Sequence, residues 1–422
     1  MEITAKPTGK EVVLPHYAFA ALSFLALTIL LLFSGDAFVG HYFHPKLLTL
    51  THLAVLGWAT MIIFGSLYQL LPVVLQVSLY SDKLAKITFY FLAAGTLLLS
   101  YAFWNFAIGL PLHMAACFLV IAFVLFNINL FLTTRRAKSW NIEADFILTS
   151  GFWLLATGII GLLMAVNFSY PFLKESHLHY LKLHAHLGIA GWFILLIIGV
   201  GAKLLPMFLL THHVSVKKLQ ATYYLVNGGL LLFAVDHLFW HTPYQFFYGL
   251  LVGAGLLLFV LFVAAAYRNR VRREQDAGMQ QSLVGVGLML LPVLLLAVVS
   301  GQIELSEKLQ LQLYLVYGIT IFMGFITTLI LGQTFKTLPF IVWMHRYQHL
   351  VGKQTVPLPK DLYSDKWVKV QNIVYGAGFL SLLLGAGFAN QQWLLLGSIL
   401  LVLTALLYVV QVFRLLWQAI VK

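Results

Sequence analysis

Three apolar stretches of this chain carry one motif in one register, and that repeat restricts the fold more than any other feature. The first stretch reads His52, Gly57, Trp58, Gly65, Gln69, Leu71 and Pro72. The second reads His186, Gly191, Trp192, Gly199, Lys203, Leu205 and Pro206. The third places Ile319 where the histidine would fall, followed by Gly324, Phe325, Gly332, Lys336, Leu338 and Pro339. Self-similarity of this kind signals one supersecondary unit used three times.

Composition sets the solvent in which the unit is used. The chain is 61% hydrophobic and only 9% charged, with a mean hydropathy of +0.91, whereas about a quarter of the residues of a soluble domain are charged. Runs of roughly 20 apolar residues, the length that crosses a bilayer as helix, recur throughout. Twelve are legible, at about 15–35, 48–76, 84–106, 110–133, 145–168, 183–210, 219–240, 246–267, 281–300, 310–335, 369–388 and 392–415. They predict an all-α membrane protein with twelve transmembrane helices in three pseudo-symmetric four-helix arcs, about 15–133, 145–267 and 281–415. A single transmembrane domain over 1–422 is expected. Met1 to Val13 is polar and has no signal-peptide apolar core, so no cleavage is expected.

The net charge of +12 reports topology and not a nucleic-acid partner. With the N-terminus inside, Arg135, Arg136, Lys138, Lys217, Lys218, Arg268, Arg270, Arg272, Arg273, Arg346, Lys353, Lys360, Lys366 and Lys369 share one set of loops. The other set holds only Lys46, Lys174, Lys182 and Lys308. The positive-inside rule then predicts both termini in the cytoplasm, in a bacterial-type inner membrane, with the lipid bilayer as the main partner. The lone Cys117 excludes an intrachain disulfide, covalent haem attachment and a two-cysteine copper centre. A metal here must be held by histidine, methionine or oxygen.

Much of the motif is explained by packing. Each glycine pair is eight residues apart and shares a helix face, which lets helices approach closely in lipid. The proline ends or kinks its helix, and the aromatic residue is expected to pack. Gln69, Lys203 and Lys336 fall at one repeat position near the cytoplasmic ends; snorkelling to headgroups explains them, and an inner polar ring admitting protons or an anion is the functional alternative. The loop from about Val342 to Asp365, with Pro357 and Pro359, is the only segment that predicts a cytoplasmic flap.

The histidines are not explained by packing. Orientation places ten of the fifteen near the outer face: His41, His44, His52, His113, His177, His179, His184, His186, His237 and His241. His16, His212, His213, His345 and His349 are cytoplasmic. Acidic residues on the outer side are few: Asp36, Glu175, Asp236, Glu304 and Glu307. A polar side chain within a span is a functional candidate by default, and neutral imidazole ligates haem iron, copper and zinc. His237 and His241 are i, i+4 and could share one metal with Asp236 orienting a ligand. His184 and His186 are about 200° apart on a helix and face different neighbours. His52 and His186, at equivalent repeat positions, are expected to line one central region with His237 and hold haem or a metal ion. His41, His44, His177 and His179 flank loops and read as ordinary interfacial residues.

Twelve helices in three arcs, with histidines on helices two, six and seven, resemble the catalytic subunit I of haem–copper oxidases. That superfamily includes nitric oxide reductases and NnrS-type haem and copper proteins. The stretches THLAVLGW…YQLLPV and LHAHLGIAGW…KLLPMF resemble oxidase subunit I-like proteins. The resemblance implies b-type haem held by His52 and by His184, His186 or His237. It also implies copper or iron at His186, His237 and His241, with a quinol or a cytochrome subunit as redox partner. In catalytic members helix ten carries a His-x-His pair; here it has none, and Ala190 stands where a cross-linked tyrosine would follow His186. The function implied is haem-based redox chemistry on nitric oxide or oxygen, or electron transfer. A non-catalytic haem or copper handling, sensing or assembly role is the alternative. A solute transporter using Lys203 and Lys336 comes last, because its repeats would be expected in two broken-helix halves.

Overall fold

The computed structural model describes residues 8–137, 140–211, 214–271, 273–300 and 305–420. Lys138, His212, His213, Arg272 and Glu304 lie outside them, as do the first seven residues. Among the described residues the long elements are all helical. They are α1 (Lys10–Leu32), α2 (Pro45–Leu75), α3 (Asp82–Trp104), α4 (Leu110–Thr134), α5 (Ile142–Ser169) and α6 (His177–Leu209). Then come α7 (Val216–Val235, continued by a π-helical turn Asp236–Trp240), α8 (Gln245–Arg268), α9 (Ala277–Ser300), α10 (Glu307–Arg346), α11 (Asp365–Gly387) and α12 (Gln391–Ile420). The twelve match the twelve apolar runs. Eleven are long and apolar enough to cross a membrane. The twelfth, α7, is diluted by Lys217 and Lys218 at its start. The protein is a multi-pass membrane protein.

Local chemistry sets the helix starts. Ser81, Asn141, Ser176, Ser215 and Ser306 each accept a backbone N–H of the first turn of α3, α5, α6, α7 and α10, satisfying donors that would otherwise be orphaned. At α2 the cap is an imidazole: His44 accepts from the Lys46 backbone N–H. α2 and α6 end on Gln76 and Leu210, both left-handed (φ 55° and 53°), a conformation that costs a non-glycine residue about 1 kcal/mol or more. Pro72 and Pro206 lie in the last turn of their helices, while α10 continues well past Pro339. In α9 the ladder breaks at Met289, where the Pro292 ring clashes with the carbonyl four residues earlier. The loop after α10 is tied down, because Trp343 Nε1 donates to the Pro357 carbonyl at 2.7 Å.

The chain forms two compact units. One comprises Leu71–Arg273 and Met289–Leu305; the other comprises Pro7–Leu70, Glu274–Leu288 and Ser306–Lys422. The three motif helices share two features across these units. First, the α-helical ladder changes to π-helix directly after the repeat's first position. The segments are Leu53–Thr60 after His52, Leu187–Ile194 after His186 and Thr320–Ile326 after Ile319. π-Helical turns are rare and concentrate at functional sites.

Second, the later glycine is where the preceding helix crosses. A Cβ on Gly65 would stand 2.5 Å from the His16 Cβ of α1. One on Gly199 would stand 2.6 Å from the Phe146 Cβ of α5. One on Gly332 would stand 2.6 Å from the Gly278 carbonyl of α9. In lipid, burying an apolar side chain exchanges one apolar contact for another, so close approach at small residues is what favours helix association.

The motif aromatics pack. Trp58 is fully buried, stacks on Phe24 (centroids 4.6 Å apart), meets Tyr408 edge-on at 5.1 Å and donates its Nε1–H to Thr327 Oγ1 at 3.1 Å. Trp192, also buried, meets Phe126 edge-on at 5.8 Å.

Candidate functional site

His52 and His186 share one local geometry. His52 Nδ1 lies 2.8 Å from the Leu48 carbonyl, and His186 Nδ1 lies 2.7 Å from the Lys182 carbonyl. A carbonyl can only accept, so Nδ1 carries the proton and the imidazole lone pair is on Nε2. Ligating histidines are commonly fixed in this way, with the second nitrogen anchored to a backbone oxygen. His16 makes the same bond to the Val12 carbonyl at 2.7 Å. Back-bonding by itself is therefore a general property of a helical histidine. What sets His52 and His186 apart is their place at the mouth of a π-helical segment.

His184 turns toward α5. Its Nδ1 lies 3.0 Å from the Thr157 carbonyl, and its ring packs over Gly161, where a Cβ would meet Cε1 at 3.0 Å. His186 instead lies against Phe233 of α7, with centroids 5.4 Å apart. The two rings thus face different helices, as their spacing requires.

His237 is buried and engaged at both ring nitrogens. Nε2 donates to the His179 carbonyl at 2.9 Å, and Nδ1 accepts from Gln245 Nε2 at 3.4 Å. Its ring stacks on that of His179 at 3.9 Å. His241 leaves the helix in the left-handed region (φ 53°), and its ring reaches His179 at 5.5 Å. The i, i+4 pairing of His237 and His241 presumes an α-helical ladder; here the turn is π-helical and ends in a reversed residue. Asp236 is fully buried and holds the turn that follows, accepting from the Thr242 backbone N–H at 3.1 Å and hydroxyl at 2.6 Å. Among the described residues no three His, Cys, Asp or Glu side chains are grouped so as to hold a metal ion. Lys182 Nζ donates to Gln245 Oε1 at 2.6 Å. The sequence reads His179 as an interfacial residue and gives no signal for Gln245, since packing of α6 against α7 and α8 alone brings them to His237.

At the equivalent place in α10 stand Tyr317 and Ile319, the latter buried. The cytoplasmic-end positions diverge. Gln69 is buried beside Met344, with Nε2 3.9 Å from the sulfur. Lys336 is ion-paired to Asp276 at 2.6 Å, and Lys203 is exposed. Their surroundings differ from one repeat to the next. Outside the spans, the Lys46 ammonium hydrogen-bonded to Asp36 at 2.9 Å holds that carboxyl below the usual carboxylate range. Burial pushes the Tyr42 phenol up.

No family model matches the chain, and no curated protein matches it in sequence. Its fold is nevertheless shared with solved structures. A heme-copper terminal oxidase, solved as a dimer by cryo-electron microscopy, superposes with a TM-score of 0.66 over 98% of this chain and 84% of its own, at 13% identity. The chain therefore has a haem–copper oxidase-like fold of the subunit I type, in a divergent sequence.

Proposed function

We propose that this protein is a b-type haem-binding, oxidase-like membrane protein linked to redox chemistry. His52 would hold the haem, and His186 would be an imidazole ligand in its own unit for haem, copper or iron. The observation that supports this most directly is the shared geometry of the two residues. Both sit at equivalent repeat positions, donate Nδ1–H to the carbonyl four residues back, and open a π-helical segment. A single fixed imidazole can hold haem, whereas a protein-only copper centre needs several converging ligands.

When bound, the iron supplies one-electron chemistry and a coordination position for a small ligand. The chain supplies position. The Leu48 and Lys182 carbonyls hold the two rings in one tautomer and orientation. His184 braces α6 against α5, and His237, held by His179 and Gln245, braces α6 against α7 and α8. Electrons would come from a quinol or a cytochrome subunit, and nitric oxide or oxygen is the substrate class. The lack of an imidazole at Ile319 favours a second reading, a non-catalytic haem or copper handling or sensing role. An absorption spectrum of the purified protein, oxidised against dithionite-reduced, tests both. A Soret band that His52→Ala removes supports ligation. A colourless protein overturns haem binding, and bound haem without oxygen or nitric oxide consumption selects the non-catalytic reading.

A further inference from the structure

Six histidines lie on α6 and at the end of α7 within one compact unit, and packing uses four of them. His177 Nε2 accepts from Asn167 Nδ2 at 3.4 Å, and its ring stacks on Phe168 at 4.2 Å. His184 donates to the Thr157 carbonyl and His186 to the Lys182 carbonyl. His237 is engaged at both ring nitrogens. His179 and His241 differ. Among the described residues neither makes a hydrogen bond through a ring nitrogen. His179 is half-buried and His241 is exposed. A neutral imidazole carries one in-plane lone pair, so these two rings are the ones able to take a ligand from solution.

Ring geometry makes them a pair. His179 and His237 stack at 3.9 Å with planes 14° apart. An ion in the plane of one of those rings lies well outside the plane of the other, so the stacked pair cannot share it. His179 and His241 stand 5.5 Å apart with planes at 63°. An ion about 2.1 Å from each of two imidazole nitrogens lies about 3.2 Å from each ring centre, and a tetrahedral angle then sets the centres about 5.2 Å apart. The observed separation is close to that value.

Both rings are also held in place. His241 sits in the left-handed region (φ 53°), which residues other than glycine rarely adopt. Asp236 fixes that reversal: its carbonyl accepts the His241 backbone N–H at 2.7 Å, and its carboxylate accepts the Thr242 N–H and hydroxyl. His179 follows the Ser176 cap at the start of α6 and is backed by the fixed His237 ring. Ligands set before binding lose less freedom when the ion arrives. The Lys182 ammonium lies within electrostatic reach of the buried Asp236 carboxylate, which offsets its repulsion of a cation.

We propose that His179 and His241 form a two-imidazole site for a divalent transition-metal ion of the Zn²⁺, Ni²⁺ and Cu²⁺ class, with water completing the coordination. The bound ion would clasp the start of α6 to the end of α7. The proposal is independent of haem at His52 and of any metal at His186.

Cu²⁺ is the probe, because it binds nitrogen ligands most tightly in its series and its EPR spectrum counts them. Tag-free, chelator-stripped protein in detergent should bind Cu²⁺ with nitrogen splittings from two imidazoles. His179→Gln and His241→Gln should each weaken binding by roughly tenfold or more, since even a partner behind a metal ligand is worth that much. His177→Gln, two residues away, should leave binding unchanged. Failure to bind, or copper held through one imidazole, overturns the proposal, and so does unchanged affinity in either variant or loss of binding in His177→Gln. Copper that survives both substitutions and vanishes in His186→Ala belongs to the His186 site and overturns this one alone. The ligand count in the wild-type protein decides the matter even if a variant does not fold.

Discussion

α2 and α6 on one side, and α10 on the other, are three versions of one helix, two with a histidine and one without. All three keep the π-helical segment, the crossing glycine and the buried aromatic. The π-segment in α10 forms behind Ile319 just as it forms behind His52, so the imidazole is not what produces it. Helix packing requires the glycines and the aromatic, and it tolerates either residue at the first position. The scaffold of the motif therefore does not depend on an imidazole at its first position.

The largest test of that contrast is spectroscopic. His52→Ala should remove all of the haem absorbance held at that site and leave the thermal midpoint close to that of the haem-free wild-type protein in detergent. The reverse outcome, an unfolded protein or an unchanged spectrum, would make His52 structural. His184→Ala should behave the opposite way, keeping the chromophore and lowering stability by about 1 kcal/mol, the net worth of one buried hydrogen bond.

Next in size are the glycines, which the scaffold argument makes indispensable wherever a helix crosses. Gly332→Ala puts a methyl group 2.6 Å from the Gly278 carbonyl and 2.7 Å from the Ser282 backbone nitrogen, atoms that cannot move aside alone. Gly65→Ala meets the His16 Cβ at 2.5 Å, and Gly199→Ala meets the Phe146 Cβ at 2.6 Å. Each should cost roughly 1–3 kcal/mol, as overpacking does. Gly324→Ala meets only the edge of the Phe379 ring at 3.3 Å and should cost least. Thermal unfolding of the four variants should rank Gly324→Ala mildest. If instead all four are neutral, helix crossing is not the reason for the motif.

Trp58→Phe is smaller again. It keeps most of the stacking on Phe24 and deletes the hydrogen bond to Thr327, for a loss of about 1 kcal/mol.

Which parts of this were legible beforehand follows from the range of the interactions. The twelve spans, their grouping by a repeat, and glycine-mediated packing all come from patterns within one or two helical turns, so a linear reading finds them. The opposed faces of His184 and His186 also follow from helix geometry alone. The π-segments carry no residue signature, because histidine and isoleucine open them equally. His179 reads as an interfacial residue in the sequence; its stacking on His237 joins residues 58 apart and depends on how α6 meets α7. The His237 and His241 pairing rests on α-helical spacing, whereas the turn in the structure is π-helical with a left-handed end.

The smallest effect concerns how α2 begins, where it differs from its two counterparts. α6 and α10 start on serine hydroxyls, which do not titrate. α2 starts on an imidazole cap and an exposed ion pair between Lys46 and Asp36. Because the pairing lowers the Asp36 pKa in the folded state, its contribution is fully present above the unfolded carboxylate range. It is lost as pH falls through the folded value. Both partners are solvent-accessible, so the gain is small and screened by salt. Acidification below the usual carboxylate range should therefore lower the thermal midpoint slightly at low ionic strength. Asp36→Asn should abolish that portion of the pH dependence, and so should raised salt. An equal acid response in Asp36→Asn would mean that the start of α2 titrates through another group and that the ion pair adds nothing to it.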